Sequence, residues 1–120
     1  MAKKKNDSKE LALTIVKAIQ EKKGEHIKLM DLRKLDAAVT DFFVICHAKS
    51  DTQVDAIFRS IDDIVKKELN ADPFHIEGTD HSNWILLDYV DVVAHVFKEE
   101  VRDFYKLEDL WADAKTQDFE

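Results

Sequence analysis

The sequence predicts an α/β fold: one domain with a mixed sheet of about five strands and helices packed on its faces. Three patterns carry that expectation. Leu11, Ala12, Ile15, Val16 and Ile19 recur at helical spacing, and Val54, Ile57, Phe58, Ile61, Ile64 and Val65 do so again over a longer stretch. The run Phe42–Cys46 is apolar at five consecutive positions, as a strand covered on both faces requires. Two more apolar runs, Trp84–Leu87 and Val92–Phe97, are too short for ordinary helices and rich in β-branched or aromatic residues, the pattern of adjacent strands in a hairpin.

In chain order, residues 1–7 read as a flexible basic tail, residues 8–114 as the folded domain, and residues 115–120 as an acidic tail. Asp7 and Glu10 have the spacing of a capping box ahead of the first helix, and Gly24 is its stop. His26–Leu32 alternates as a half-buried strand, and its position suggests an exposed edge that could pair across a dimer. Ser50 and Gln53 form a second capping box. Asp51 and Asp55 in the first turns of that helix, with Lys66 and Lys67 in its last, suit the helix dipole. Pro73 opens a short strand over Phe74–Glu77 that ends at Gly78. A polar turn over Thr79–Asn83 leads into Trp84, and Asp88-Tyr89-Val90-Asp91 joins the two hairpin strands. A last helical region begins at Glu99 and carries Val101, Phe104, Tyr105, Leu107, Leu110 and Trp111 as its apolar stripe.

Composition narrows the function classes. With 120 residues, 45% hydrophobic and 36% charged, the chain has enough apolar surface for one core, unlike a disordered segment. No apolar run approaches the roughly 20 residues of a membrane helix, so no membrane partner is expected. The single cysteine, Cys46, sits in an apolar run, which excludes a disulfide framework and makes a reducing cytoplasm the expected location. A net charge of −7 disfavours direct sequence-specific nucleic-acid binding and favours a basic protein as partner.

Catalytic constellations are thin. His75 and Glu77 share a strand face with His81 nearby, while His47 beside Cys46 and His95 lie on other strands. None of these has an HExxH or CxxC spacing, so they read as surface or hydrogen-bonded histidines, with no metal or cofactor expected. With Gly24 and Gly78 alone, no phosphate-cradling loop can be written. Asp88 and Asp91 stand three apart and would face opposite ways on a continuing strand; Asp62 and Asp63 point about 100° apart on a helix. Cys46 reads as buried and inert. The chain is therefore expected not to be an enzyme.

What remains is a candidate partner-binding surface: Glu77, His81, Asn83, Trp84, Asp88 and Tyr89. Mixed aromatic and polar residues of this kind are enriched at protein interfaces. Alternation puts Trp84, Leu86 and Asp88 on one face and Ile85 and Leu87 on the other. Trp84 by itself could be a core anchor or a binding hot spot. Asp88 on the same face weighs against the core, because burying an unpaired carboxylate is costly.

These residues, in series, resemble the ribosomal silencing factor family, also called Iojap. The matching segments are Thr40-Asp41-Phe42-Phe43-Val44-Ile45-Cys46, Ser50 with Gln53-Val54, Glu77-Gly78, Trp84-Ile85-Leu86-Leu87-Asp88-Tyr89, Asp91-Val92-Val93-Ala94-His95-Val96-Phe97, Arg102-Asp103-Phe104-Tyr105 and Leu107-Glu108-Asp109-Leu110-Trp111. They span residues 8 to 114. The resemblance implies a nucleotidyltransferase-like fold without catalysis, docking on the large ribosomal subunit through the L-fourteen ribosomal protein, and a block to small-subunit joining that represses translation. It also implies a homodimer of the free chain, and for organellar relatives a role in large-subunit assembly. A nucleotidyltransferase-like enzyme is the reading from another class. Two positions depart from the pattern. Val90 stands where the family usually has glycine, which implies a different turn geometry, and His47-Ala48-Lys49 replaces a small-residue pair before Ser50.

Overall fold

The computed structural model describes residues 7–120, with the side chain of Asp7 outside the described set. The basic tail and the capping contact expected of Asp7 therefore lie outside the described residues. Helix α1 (Asp7–Glu21) buries Leu11, Ala12, Ile15, Val16 and Ile19, the stripe its spacing predicts. It ends where the Gly24 N–H donates to the Ile19 carbonyl at 3.0 Å. Strands β1 (Glu25–Asp31) and β2 (Phe42–Ala48) follow, joined by an irregular loop. Helix α2 (Asp51–Leu69) starts as predicted: the Gln53 N–H donates to Ser50 Oγ at 3.1 Å. It stops at Asn70, whose left-handed φ of 52° returns its N–H to the Lys66 carbonyl. Then come β3 (His75–Glu77), β4 (Trp84–Asp88), β5 (Val92–Lys98), α3 (Glu99–Tyr105), a 3-10 turn (Leu107–Trp111) and β6 (Lys115–Phe119).

Among the described residues, six strands form one sheet in the order β3-β4-β5-β2-β1-β6. Only β2 and β5 run parallel, pairing Phe42 with Val92 through Ala48 with Lys98; the other neighbours are antiparallel. Helices α1 and α2 cover one face. Beneath them lie Phe42, Val44, Cys46 and Ala48 of β2, Val92, Ala94 and Val96 of β5, and Ile85 and Leu87 of β4. This two-sided burial of the central strands explains the uninterrupted apolar run in β2. The Ser60 hydroxyl donates to the Ala18 carbonyl at 2.9 Å, satisfying a buried polar group where the two helices meet. On the opposite face a smaller cluster of Met30, Leu32, Ile45 and Phe97 is capped by Leu35, Val101, Leu107 and Trp111.

Three expectations are corrected. The sheet has six strands, because residues 115–119, expected to trail off as an acidic tail, pair antiparallel with β1 from Asp31↔Lys115 to Ile27↔Phe119. Only Phe119 of that strand packs on the core, and Lys28 pairs with Asp118 at 2.9 Å, so its sequence carries almost no apolar alternation. Strand β1 is consequently interior, and the sheet edges are β3 and β6. The final helical region is two elements, because Lys106 adopts φ 50° and breaks the helix between Tyr105 and Leu107.

Candidate functional site

Strand register decides which of the singled-out residues meet. On the sheet face away from α1 and α2, Trp84 pairs across to Phe97, Leu86 to His95 and Asp88 to Val93, while β3 brings His75 beside Asp88 and Glu77 beside Leu86. Trp84, Asp88 and Glu77 thus share one face, as alternation requires. Ile85 and Leu87 are fully buried on the helical side.

Trp84 is half-buried, neither enclosed in the core nor free in solvent. Its indole lies 4.7 Å from the Phe97 ring and 5.2 Å from Tyr105, and its Nε1–H donates to His95 Nδ1 at 3.1 Å. Because an indole N–H can only donate, His95 must accept at Nδ1, and its hydrogen sits on Nε2. His95 is itself buried against Phe43, whose ring meets it edge-on at 4.8 Å, and burial pushes its pKa down to about 4. A neutral buried imidazole therefore fixes the tryptophan ring, leaving its outer face beside the exposed Tyr105 and Phe104. Phe104 and Tyr105 were read from sequence as the apolar stripe of a helix. Both lie in the last turn of α3 and stand exposed, and the left-handed Lys106 ends the helix directly after them, a break of which helical periodicity carries no signal.

The hairpin connection behaves differently from its sequence reading. Asp88 Oδ1 accepts the Val90 N–H at 2.7 Å, so this carboxylate braces its own turn. Tyr89, expected to be exposed beside Trp84, is only 6% exposed and packs in the helical-side core. As the residue after Asp88 it falls on the opposite face, so it leaves the candidate surface. Burial, and then the charges of Asp62 and Asp72, push its phenol pKa up. Glu77 is exposed at the β3 edge, 2.7 Å from His75. His81 and Asn83 are exposed in the turn before Trp84; the Asn83 carbonyl accepts the Lys98 N–H at 2.8 Å.

Another cluster joins Glu25, His47 and Glu99, whose ligand atoms all lie within 4.8 Å of one another. Arg102 sets its chemistry. This buried guanidinium donates to the His26 carbonyl at 2.8 Å, to Glu108 Oε1 at 3.1 Å and to His47 Nδ1 at 3.0 Å. A guanidinium can only donate, so neutral His47 carries its hydrogen on Nε2, between Glu25 at 3.5 Å and Glu99 at 3.7 Å. The ring as held offers the carboxylates a hydrogen and not the lone pair a metal would need. Burial first, then the Arg102 charge, lower the His47 pKa. Cys46 is fully buried, its thiol pushed up to about 12 by burial, which leaves no reactive thiolate at neutral pH.

No helix among the described residues is long and apolar enough to cross a membrane. The family model described as "Ribosomal silencing factor during starvation" matches residues 5–120. The chain is 41% identical over 103 residues to the ribosomal silencing factor RsfS of Bacillus subtilis, covering 86% of each chain. A more distant mouse relative, "Mitochondrial assembly of ribosomal large subunit protein 1", is 34% identical over 74 residues, covering 60% of this chain and 32% of that one. Among solved structures, protein CV0518 from Chromobacterium violaceum superposes with a TM-score of 0.81 at 32% identity, covering 87% of this chain and 85% of that one. A family match over nearly every residue, together with the likeness of fold to a solved structure at 32% identity, places this chain in the ribosomal silencing factor family.

Proposed function

We propose that the chain is a non-catalytic, steric regulator of the ribosome. It docks on the large ribosomal subunit through the open sheet face around Trp84, with the L-fourteen ribosomal protein as its partner. Its bulk then blocks small-subunit joining and represses translation in the cytoplasm, with no cofactor. The observation that carries this reading is the state of Trp84. Its indole N–H is satisfied internally by His95 at 3.1 Å, so a flat aromatic face is held in place, without an unmet hydrogen bond, beside Tyr105. Rigid, half-buried aromatics of this kind are the usual anchors of protein interfaces. The net charge of −7 suits a cationic ribosomal protein. Trp84, Asp88, Glu77, His81 and Asn83 remain the proposed contact residues, now joined by Leu86 and Tyr105.

Binding to purified large ribosomal subunits tests this. Trp84→Glu and Tyr105→Glu, each checked for folding by circular dichroism, are expected to weaken binding at least about thirtyfold, the loss of an anchor worth about 2 kcal/mol. Unchanged binding by both folded variants would refute the surface. The mouse relative's name supports a second reading, a factor in large-subunit assembly. Sucrose gradients of a deletion strain separate the two, since precursor particles point to assembly and excess joined ribosomes to silencing. A homodimer of the free chain would bury the exposed Phe104, Tyr105 and Leu110, and light scattering on the Tyr105 variant reads that directly.

A further inference from the structure

We infer that the tip of the β4–β5 hairpin is a second contact point for the same cationic partner, with Val90, Val39 and Phe74 as its apolar knobs; this rests on the ribosome-binding reading above. The tip is a three-residue γ-turn in which the Asp91 N–H donates to the Tyr89 carbonyl at 2.9 Å across Val90. Val90 has φ +76°, a region that β-branched residues avoid because Cβ crowds the backbone. Three further hydrogen bonds hold it there. The Val90 N–H donates to Asp88 Oδ1 at 2.7 Å, Thr40 Oγ1 donates to the Val90 carbonyl at 2.9 Å, and the Tyr89 N–H donates to the Val92 carbonyl at 2.8 Å. The turn is thus over-determined, yet the isopropyl group it presents gains little packing within the chain, being 56% exposed. Strain maintained by its surroundings, with an apolar side chain turned to solvent, points to a role outside the fold.

The same bonds gather neighbours around the tip. Val39, 98% exposed, precedes the Thr40 that bonds the Val90 carbonyl. Phe74, 80% exposed, donates its own N–H to the Asp88 carbonyl at 2.7 Å. Asp88 and Asp91 flank Val90 on the turn, and the Asp41 N–H is tied to the Asp91 carbonyl at 2.8 Å. Apolar knobs among carboxylates fit a partner surface of lysine or arginine side chains, whose apolar stems pack on Val90 and Val39 while their charges meet the aspartates. Two copies of this chain meeting here would bring like carboxylates together. Asp88, at the base of the tip, is four residues from Trp84 along β4, about 13 Å at about 3.3 Å per residue, and Val90 is two residues further, so one ordinary footprint of about 800 Å² per partner covers both points.

The test measures affinity of the full chain for purified large ribosomal subunits, with Trp84→Glu as control. Val90→Gly removes the side chain and the strain together, so its denaturation midpoint should hold or rise while binding falls about tenfold. The double variant Val39→Ser/Phe74→Ser, both positions being exposed, should fold as wild type and bind about tenfold more weakly. The effect should shrink at high salt if aspartates and cations meet there. Wild-type affinity in the tip variants, with binding lost in Trp84→Glu, would overturn the tip and leave the Trp84 surface standing. Wild-type affinity in Trp84→Glu, Tyr105→Glu and the tip variants alike would overturn both. Self-association lost in the tip variants, with subunit binding intact, would assign the tip to a second copy and overturn the cationic partner.

Discussion

Acid should loosen this fold through one buried histidine. His95 is enclosed by Phe43, Phe97 and Trp84 and accepts a hydrogen bond at Nδ1, so protonating it both strands a charge in an apolar site and turns an acceptor into a competing donor. Burial holds its pKa at about 4, against 6.5 for the free side chain. The folded value lies below the unfolded one, so the unfolded chain takes up the proton first as pH falls. The stability contribution is whole above pH 6.5 and is lost between 6.5 and about 4. At about 1.4 kcal/mol per decade of pH, the full span amounts to about 3 kcal/mol, a large part of a small domain's stability. His47, also lowered, adds loss of the same sign. Asp31, lowered chiefly by its hydrogen bond to Arg33, responds only below its ordinary 3.8 and so lies outside the window. Urea unfolding at steps from pH 7.5 to 4.5 measures the slope. His95→Asn keeps an acceptor close to Nδ1 but cannot titrate, and it should lose most of the slope, with His47 supplying the remainder. A wild-type slope in that variant, or a His95 ring titrating near 6.5 by NMR, would refute the reasoning.

Other perturbations have equally definite outcomes. Gly78→Ala should cost about 2–4 kcal/mol in thermal or urea unfolding. Gly78 has φ +89°, and a Cβ there would stand 1.9 Å from the Trp84 carbonyl oxygen, a backbone atom of a paired strand that cannot step aside. Arg102→Leu should cost about 3–5 kcal/mol, because it leaves Glu108 and the His26 carbonyl without their buried donor. Arg102→Lys should rescue little of that, since an ammonium cannot reproduce the planar fork. Lys98→Ala, which removes a pair to Asp51 at 3.0 Å on the surface, should change stability by less than about 1 kcal/mol.

Much of the fold is legible in the chain wherever burial imposes a period. The stripe of α2, its Ser50 cap, and the doubly covered β2 follow from local pattern alone, because each buries a face whose spacing the sequence must repeat. Strand β6 was not legible, since one anchored residue, Phe119, leaves no period to read. The break at Lys106 escapes for a related reason, since it depends on a single backbone torsion that composition does not record. Tyr89 is the opposite case: carrying the β4 alternation one residue past Asp88 already places it on the helical side.

For the candidate site, the chain by itself determined that Trp84 and Asp88 share a face, that the charge is negative, and that no phosphate loop or metal spacing is present. Tertiary structure alone decided that His95, eleven residues away, accepts the indole hydrogen, that Asp88 is engaged by its own turn, and that Val90 stands exposed in a strained conformation. The division has a physical cause. Alternation and net charge are properties of nearest neighbours and of sums, so they survive in a linear chain. A hydrogen bond between β4 and β5, or a left-handed turn, exists only once strand register and packing have brought distant atoms to within about 3 Å.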